Sequence, residues 1–170
     1  MSPANTSRTR TLVVARVFNA PIDLVWRTWT DPELVMQWWG PDFFTCPFAK
    51  MDVREGGTSI VCMRAPKEYG GQDMFSAWKY RKIVPMKSLE FTQHMADRDG
   101  NRIDPKALGL PAEFPSDTRT IVTFEALSTG ETKMVVSEFD MPTADSELGK
   151  NAEIGLNQSV DKMKAIFANT

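Results

Sequence analysis

The segment from Asn19 to Pro41 constrains this chain more than any other, because it gathers four of the five tryptophans and two proline-marked boundaries into one short stretch. Pro21 stands where the first turn of a helix tolerates proline, and Val25, Trp26 and Trp29 recur at helical spacing. Thr30 is then placed to cap a second, shorter helix, with Glu33 three residues on to complete a capping box and Pro32 in the first turn. Gly40-Pro41 ends it. Two short helices therefore separate a first strand, Arg10 to Phe18, from everything that follows.

From Phe43 onward the apolar residues recur at every second position, the period of a half-buried strand. Phe44 to Val53 and Thr58 to Arg64, joined by a tight turn at Glu55-Gly56-Gly57, predict a hairpin. Met74 to Val84, closed by Pro85, pairs with Leu89 to Met95, and Thr118 to Ala126 pairs with Thr132 to Phe139 around Thr129-Gly130. The period then reverts to 3.6. Leu148, Ala152, Leu156, Val160, Met163 and Phe167 make one apolar stripe over Asp145 to Ala168, a helix of about six turns.

This order predicts an α+β fold: an antiparallel sheet of about seven strands with two short helices after the first strand and a long C-terminal helix. One amphipathic helix cannot cover seven strands laid flat, so the sheet is expected to curve around it and leave a cavity between them. The connection from Asp97 to Asp117 exceeds about 15 residues, a length usually reserved for lids, binding loops or disorder. Its Ile103, Leu108, Leu110 and Phe114 predict a partly packed lid.

At 170 residues with 42% apolar and 25% charged side chains, the chain is expected to form a single domain over 10–170 after a flexible tail over 1–9. A net charge of -2 gives no drive toward nucleic acid or anionic membrane, which need clustered Lys and Arg. The first ten residues lack the apolar run of a signal peptide, and no later stretch approaches the ~20 apolar residues that span a bilayer. A cytoplasmic protein is expected. In that compartment Cys46 and Cys62, on adjacent predicted strands, are expected as buried free thiols rather than a bridge.

Several motifs together resemble a known family. Ala20-Pro21, Val25-Trp26, Trp29-Thr30-Asp31-Pro32-Glu33 and Trp38-Trp39-Gly40-Pro41 carry the resemblance, with Met51-Asp52-Val53-Arg54, Gly56-Gly57 and Gln158-Ser159-Val160-Asp161-Lys162 further on. The chain resembles the small bacterial proteins related to the C-terminal domain of the activator of Hsp90 ATPase, within the START-like or Bet v 1-like (SRPBCC) superfamily. The resemblance implies a helix-grip fold, with a hydrophobic cavity between sheet and helix, and a part in stress response. Two features depart from it: Leu156 follows Gly155 where relatives commonly have Trp, and the loop from Asp97 to Asp117 is longer than usual. Nothing here corresponds to the separate N-terminal domain of the Hsp90 activator, so an Hsp90 partnership transfers poorly.

No catalytic residue, cofactor or metal is assigned. His94 is the only histidine, its alternation points it outward, and no His-Glu-x-x-His pattern, nucleophile elbow, Walker loop or dinucleotide fingerprint is present. Asp97 to Asn101 lacks the third acid and terminal Glu of a calcium loop and is expected to be a turn. Lys79, Arg81, Lys82 and Lys87 form a basic cluster expected on the solvated outer face. Gly155 inside the last helix marks a close approach, a bend at the pocket rim or a frayed start.

Alternation selects the inward positions that can line the cavity. Met63, Trp78, Tyr80, Phe91 and Gln93 are chosen from the strands, and Leu156 and Val160 from the helix. Trp38 is added because an indole at the cavity mouth can stack on a flat ligand. Glu138 shares a face with Met134 and Val136; a carboxylate so placed is either paired or protonated, unless the strand end brings it to solvent. Ten methionines, several at inward positions, fit an adaptable apolar pocket or simply a core.

These residues predict binding of a small hydrophobic or amphipathic molecule. The superfamily resemblance adds two alternatives: a polyketide cyclase or aromatase-like enzyme using Glu138, and a protein-binding module like the Hsp90 activator domain. Whether a reaction is catalysed and whether the chain forms a homodimer are left open.

Overall fold

The computed structural model describes residues 8–168. Its frame is one sheet of seven strands in the order β1-β7-β6-β5-β4-β3-β2, every neighbouring pair antiparallel. In β1 (Thr9–Phe18) Leu12, Val14 and Phe18 are buried while Val13 and Val17 face out, the alternation that a one-sided core dictates. The predicted tail lies outside the described residues except for Arg8 and Thr9, and Thr9 already pairs with Pro142.

Helices α1 (Ile22–Thr30) and α2 (Pro32–Trp38) follow. Pro21, extended, stands at the N-cap of α1, and Val25, Trp26, Thr28 and Trp29 form its buried face. The cap of α2 corrects the expectation for Thr30, which remains the last residue of α1 with its Oγ1 on the Trp26 carbonyl at 3.3 Å. Asp31 caps instead, its Oδ1 accepting from the Glu33 amide at 3.0 Å. The reason is local: the ring of Pro32 disfavours helical backbone at the residue before it, so Asp31 is the residue driven to extended angles.

The predicted strand Phe44 to Val53 is a second correction. Only Ala49–Lys50 (β2) joins the ladder, against Ile60 and Val61 of β3 (Thr58–Arg64), with an isolated bridge between Thr45 and Arg64. Pro47 offers no amide hydrogen to a ladder. Phe48 instead packs across the outer side of the sheet, 6.0 Å from Phe75 and beneath the Arg98 guanidinium at 4.7 Å. Cys46, Ile60, Cys62, Ala77 and Ala96 are buried there as well. Both cysteines are free, and Cys46 lies in the connection rather than on a strand.

The remaining strands match their alternation closely. They are β4 (Asp73–Val84), β5 (Ser88–Ala96), β6 (Thr118–Ala126) and β7 (Thr132–Pro142). Register shifts between Arg10 and Leu12 and between Tyr80 and Lys82 are irregularities of the kind that bend and twist a strand. On the outer face Arg81 and Arg119 flank Glu90 at 3.6 and 3.4 Å.

The concave side receives the C-terminal helix. Ser146 caps it by accepting from the Gly149 amide at 3.0 Å, so α3 begins at Glu147 rather than at Asp145. The predicted single helix is interrupted at Lys162, between α3 (Glu147–Asp161) and α4 (Met163–Ala168). Lys162 keeps helical backbone angles while its Nζ donates to the Phe44 carbonyl at 3.1 Å. The apolar stripe survives the interruption, with Leu156, Val160, Met163, Ile166 and Phe167 buried against the sheet. Arg16 of β1 fastens α3 from the other side, to Asp161 at 2.9 Å and Asn157 at 2.7 Å.

Candidate functional site

The groove between sheet and helix has two unlike ends. Aromatic rings fill one: Trp29 lies 4.6 Å from Trp38 and 5.8 Å from Trp78, and Trp78 stacks on Phe91 at 4.9 Å. Trp38, Trp29 and the neighbouring Tyr80 use their polar atoms inside the core, whereas the buried Trp78 Nε1 meets no partner among the described residues. Trp38 Nε1 donates to the Thr28 carbonyl at 2.6 Å, Trp29 Nε1 to Met134 Sδ at 3.2 Å, and the Tyr80 hydroxyl meets Ser59 Oγ at 2.7 Å. Burial pushes the Tyr80 phenol far above its usual range.

The other end is hollow, with a volume of about 280 Å³, near the lower limit of about 300 Å³ for small-molecule sites. Its wall is mainly apolar. The sheet supplies Met63 from β3, Met74 and Ser76 from β4, Gln93 and Met95 from β5, and Thr118 from β6. Glu138 and Met141 come from β7, and α3 faces them with Ala152, Gly155 and Leu156. Trp39 and Pro41 close the side toward α2, and Phe114 and Pro115 bring in the long connection.

That connection is built much as its sequence predicts. The Asp97 side chain accepts from the Asn101 side-chain amide at 3.0 Å and from the backbone amides of Asn101 and Asp99, both at 2.9 Å, which makes Asp97 to Asn101 a turn and holds the Asp97 carboxyl below its usual value. A short helical turn over Pro105–Leu108 follows, and Arg102 pairs with Asp117 at 2.7 Å. Phe114 reaches the hollow, whereas Leu108 stays exposed.

Of the nine residues chosen from the sequence, the hollow brings together Met63, Gln93, Glu138 and Leu156. Trp38, Trp78, Tyr80, Phe91 and Val160 are corrections: each is on the inner face, but each is at most 2% exposed and packed into the solid end. Trp39 takes the place expected for Trp38. Its indole stands edge-on to Trp38 at 5.6 Å and to Trp78 at 5.0 Å, dividing the packed end from the empty one. His94, expected to point outward, borders the hollow, half-buried, with Nδ1 3.0 Å from the Met95 carbonyl.

Met74, Ser76 and Met95 belong to the same alternating sets as the predicted residues and were legible as inward. Met141 was not, because Asp140 adopts a left-handed backbone (φ 57) and reverses the parity expected after Glu138. Gly155 sits on the wall, and a Cβ added there would meet Pro41 Cβ at 3.8 Å, ordinary contact rather than a forced approach.

Glu138 is the chemically distinctive group. Its Oε2 accepts from Gln93 Nε2 at 3.1 Å, and Gln93 Nε2 also lies 3.3 Å from Thr120 Oγ1. Burial pushes the carboxyl up to about 7, against a smaller downward pull from the Gln93 amide. A carboxyl so poised is present in both protonation states near neutral pH and can donate or accept a hydrogen bond.

The family model for Activator of Hsp90 ATPase homolog 1-like proteins matches residues 19–168. A crystal structure of a protein from Chromobacterium violaceum is 27% identical and superposes with a TM-score of 0.71, covering 92% of this chain and 96% of that one. A solution structure from Arthrobacter aurescens is 23% identical, with a TM-score of 0.74 over 94% and 87% of the two chains. The AHSA1 protein from Silicibacter pomeroyi is 19% identical, with a TM-score of 0.70 over 94% and 98%. The latter two show the shared fold alone. No curated protein matches the chain. Among the described residues no helix is long and apolar enough to cross a membrane.

Proposed function

Because the chain belongs to the activator of Hsp90 ATPase homolog 1-like family, we propose that it uses the hollow under α3 to bind a small hydrophobic or amphipathic molecule. One observation carries this reading: a mainly apolar cavity whose described wall carries one carboxyl, that of the half-buried Glu138, the combination of apolar lining and few polar groups that small-molecule sites share. Affinity comes from apolar area removed from water, at roughly 25 cal/mol per Å². Glu138 and Gln93 orient the guest, and the methionines adjust to its shape.

A thermal-shift screen of lipids, polyketides and small aromatics tests the reading. Stabilisation by at least one member, lost when Ala152→Trp fills the hollow, is the expected result. A screen in which no compound raises the melting temperature would overturn it.

The position of Glu138 favours a second reading, in which the same cavity performs proton transfer. An acid or base works best with a pKa near the working pH, and Glu138 is held up at about 7. Conversion of a bound polyketide by the wild type and not by Glu138→Gln, followed by mass spectrometry, separates this cyclase-like activity from simple binding.

A further inference from the structure

Among the described residues, the hollow is walled without a fixed cation. Of the residues that border it, only Glu138 and His94 can carry charge, and His94 Nδ1 faces the carbonyl of the next residue on its own strand. The inward arginine of the neighbouring strand, Arg10, is turned to α3, with its guanidinium 3.4 Å from both Glu153 Oε1 and the Gly149 carbonyl. Among the described residues the Glu138 carboxyl therefore has one partner, the neutral amide of Gln93.

A carboxylate in an apolar wall is costly unless it takes a proton or meets a positive charge. Gln93 offers only a neutral donor, and among the described residues no Lys or Arg is placed to compensate. A guest carrying its own carboxylate would set a second negative charge against Glu138, and the described wall offers it neutral donors such as Asn151 and the unpartnered Trp39 Nε1 but no fixed cation. A guest carrying an ammonium would supply the missing countercharge, and Trp39 and Phe114 border the same hollow, aromatic rings of the kind whose faces attract cations.

Resting on the reading that the hollow is a ligand site, we propose that its guest is an apolar amine. The ammonium pairs with the Glu138 carboxylate, and the hydrocarbon or aromatic body lies among Met63, Met74, Met95 and Met141. Gln93 is the positioning residue, holding one carboxylate oxygen so that the other is free for the guest.

Three probes that share one body separate the possibilities: phenethylamine, phenethyl alcohol and hydrocinnamate, each titrated into the full chain by calorimetry near neutral pH. The amine is expected to bind about tenfold more tightly than the alcohol, as hydrogen bonds to charged groups exceed neutral ones, with hydrocinnamate weakest. Glu138→Gln is expected to abolish the amine's advantage. Equal or tighter binding of the alcohol or the acid by the wild type, or an amine preference that survives Glu138→Gln, overturns the proposal and leaves the cavity reading standing. Binding of none of the three also overturns it, and the cavity reading falls with it only if the thermal-shift library is empty too.

Discussion

Gln93 on β5 reaches past β6 to donate its Nε2 hydrogen to Glu138 on β7 at 3.1 Å, with Thr120 Oγ1 of the strand between them 3.3 Å away. The contact joins two strands that share no ladder. It also opposes burial, since the amide stabilises the charged carboxyl that desolvation disfavours.

Replacing Gln93 by Leu removes that support. The titration midpoint of Glu138 is expected to move above about 7, read from the side-chain carboxyl resonance by NMR as pH is varied. An unchanged or lower midpoint would mean that the amide does not donate to the carboxyl in solution.

Glu138 makes folding stability depend on pH with a definite sign. Its native value of about 7 lies above its ordinary 4.5, so the native state holds the proton more tightly, and the benefit is complete below about 4.5. It is lost as pH rises toward 7 and is gone above that. Glu138→Gln lacks this loss. Urea denaturation should show the variant gaining on the wild type across that window and levelling above it, by on the order of 1–3 kcal/mol. A difference between the two proteins that is flat with pH would contradict the burial of the carboxyl.

Two glycines of α3 should respond oppositely to alanine. At Gly155 the new methyl meets only Pro41 Cβ at 3.8 Å, and the gain in helix propensity should stabilise by about 0.5–1 kcal/mol. At Gly149 the same methyl would overlap the Thr143 carbonyl, and a loss of about 2–3 kcal/mol is expected. Chemical denaturation of the two variants measures both signs in one experiment.

The thiols should be protected by the outer layer of the sheet. Burial raises Cys46 and pushes Cys62 up to about 11, so little thiolate exists at neutral pH in the native state. Labelling by a maleimide is expected to proceed only at the rate of opening and to accelerate in urea. Rapid labelling of either cysteine in the native protein would show that the Phe48 segment does not cover it.

Periodicity alone made most of the architecture legible. Ser59-Val61-Met63, Trp78-Tyr80, Leu89-Phe91-Gln93 and Met134-Val136-Glu138 all turn to the inner face of the sheet, because a side-chain period of two leaves each strand only one way to bury its apolar set. The helix stripe from Leu156 to Phe167 follows from 3.6 in the same way. The errors have local causes that single residues impose: Pro47 withholds a ladder amide, Pro32 moves the cap to Asp31, and Asp140 reverses the parity of β7 ahead of Met141.

The division between core and cavity lies beyond such reasoning. Trp78 and Ser76 share one face of β4, Phe91 and Gln93 one face of β5, Val160 and Leu156 one face of the helix, yet only the second of each pair meets the hollow. Alternation states which way a side chain points and nothing about how far along the groove the opposing surface is filled. That is set where Trp29, carried in on a short helix and backed by Trp38 from the next, comes to rest against Trp78 and Phe91 of the sheet. The chain's own pattern thus determined the sheet, the helix and the face between them. Only the packing of four rings brought together from far apart in sequence decided which end of that face closed and which stayed open around Glu138.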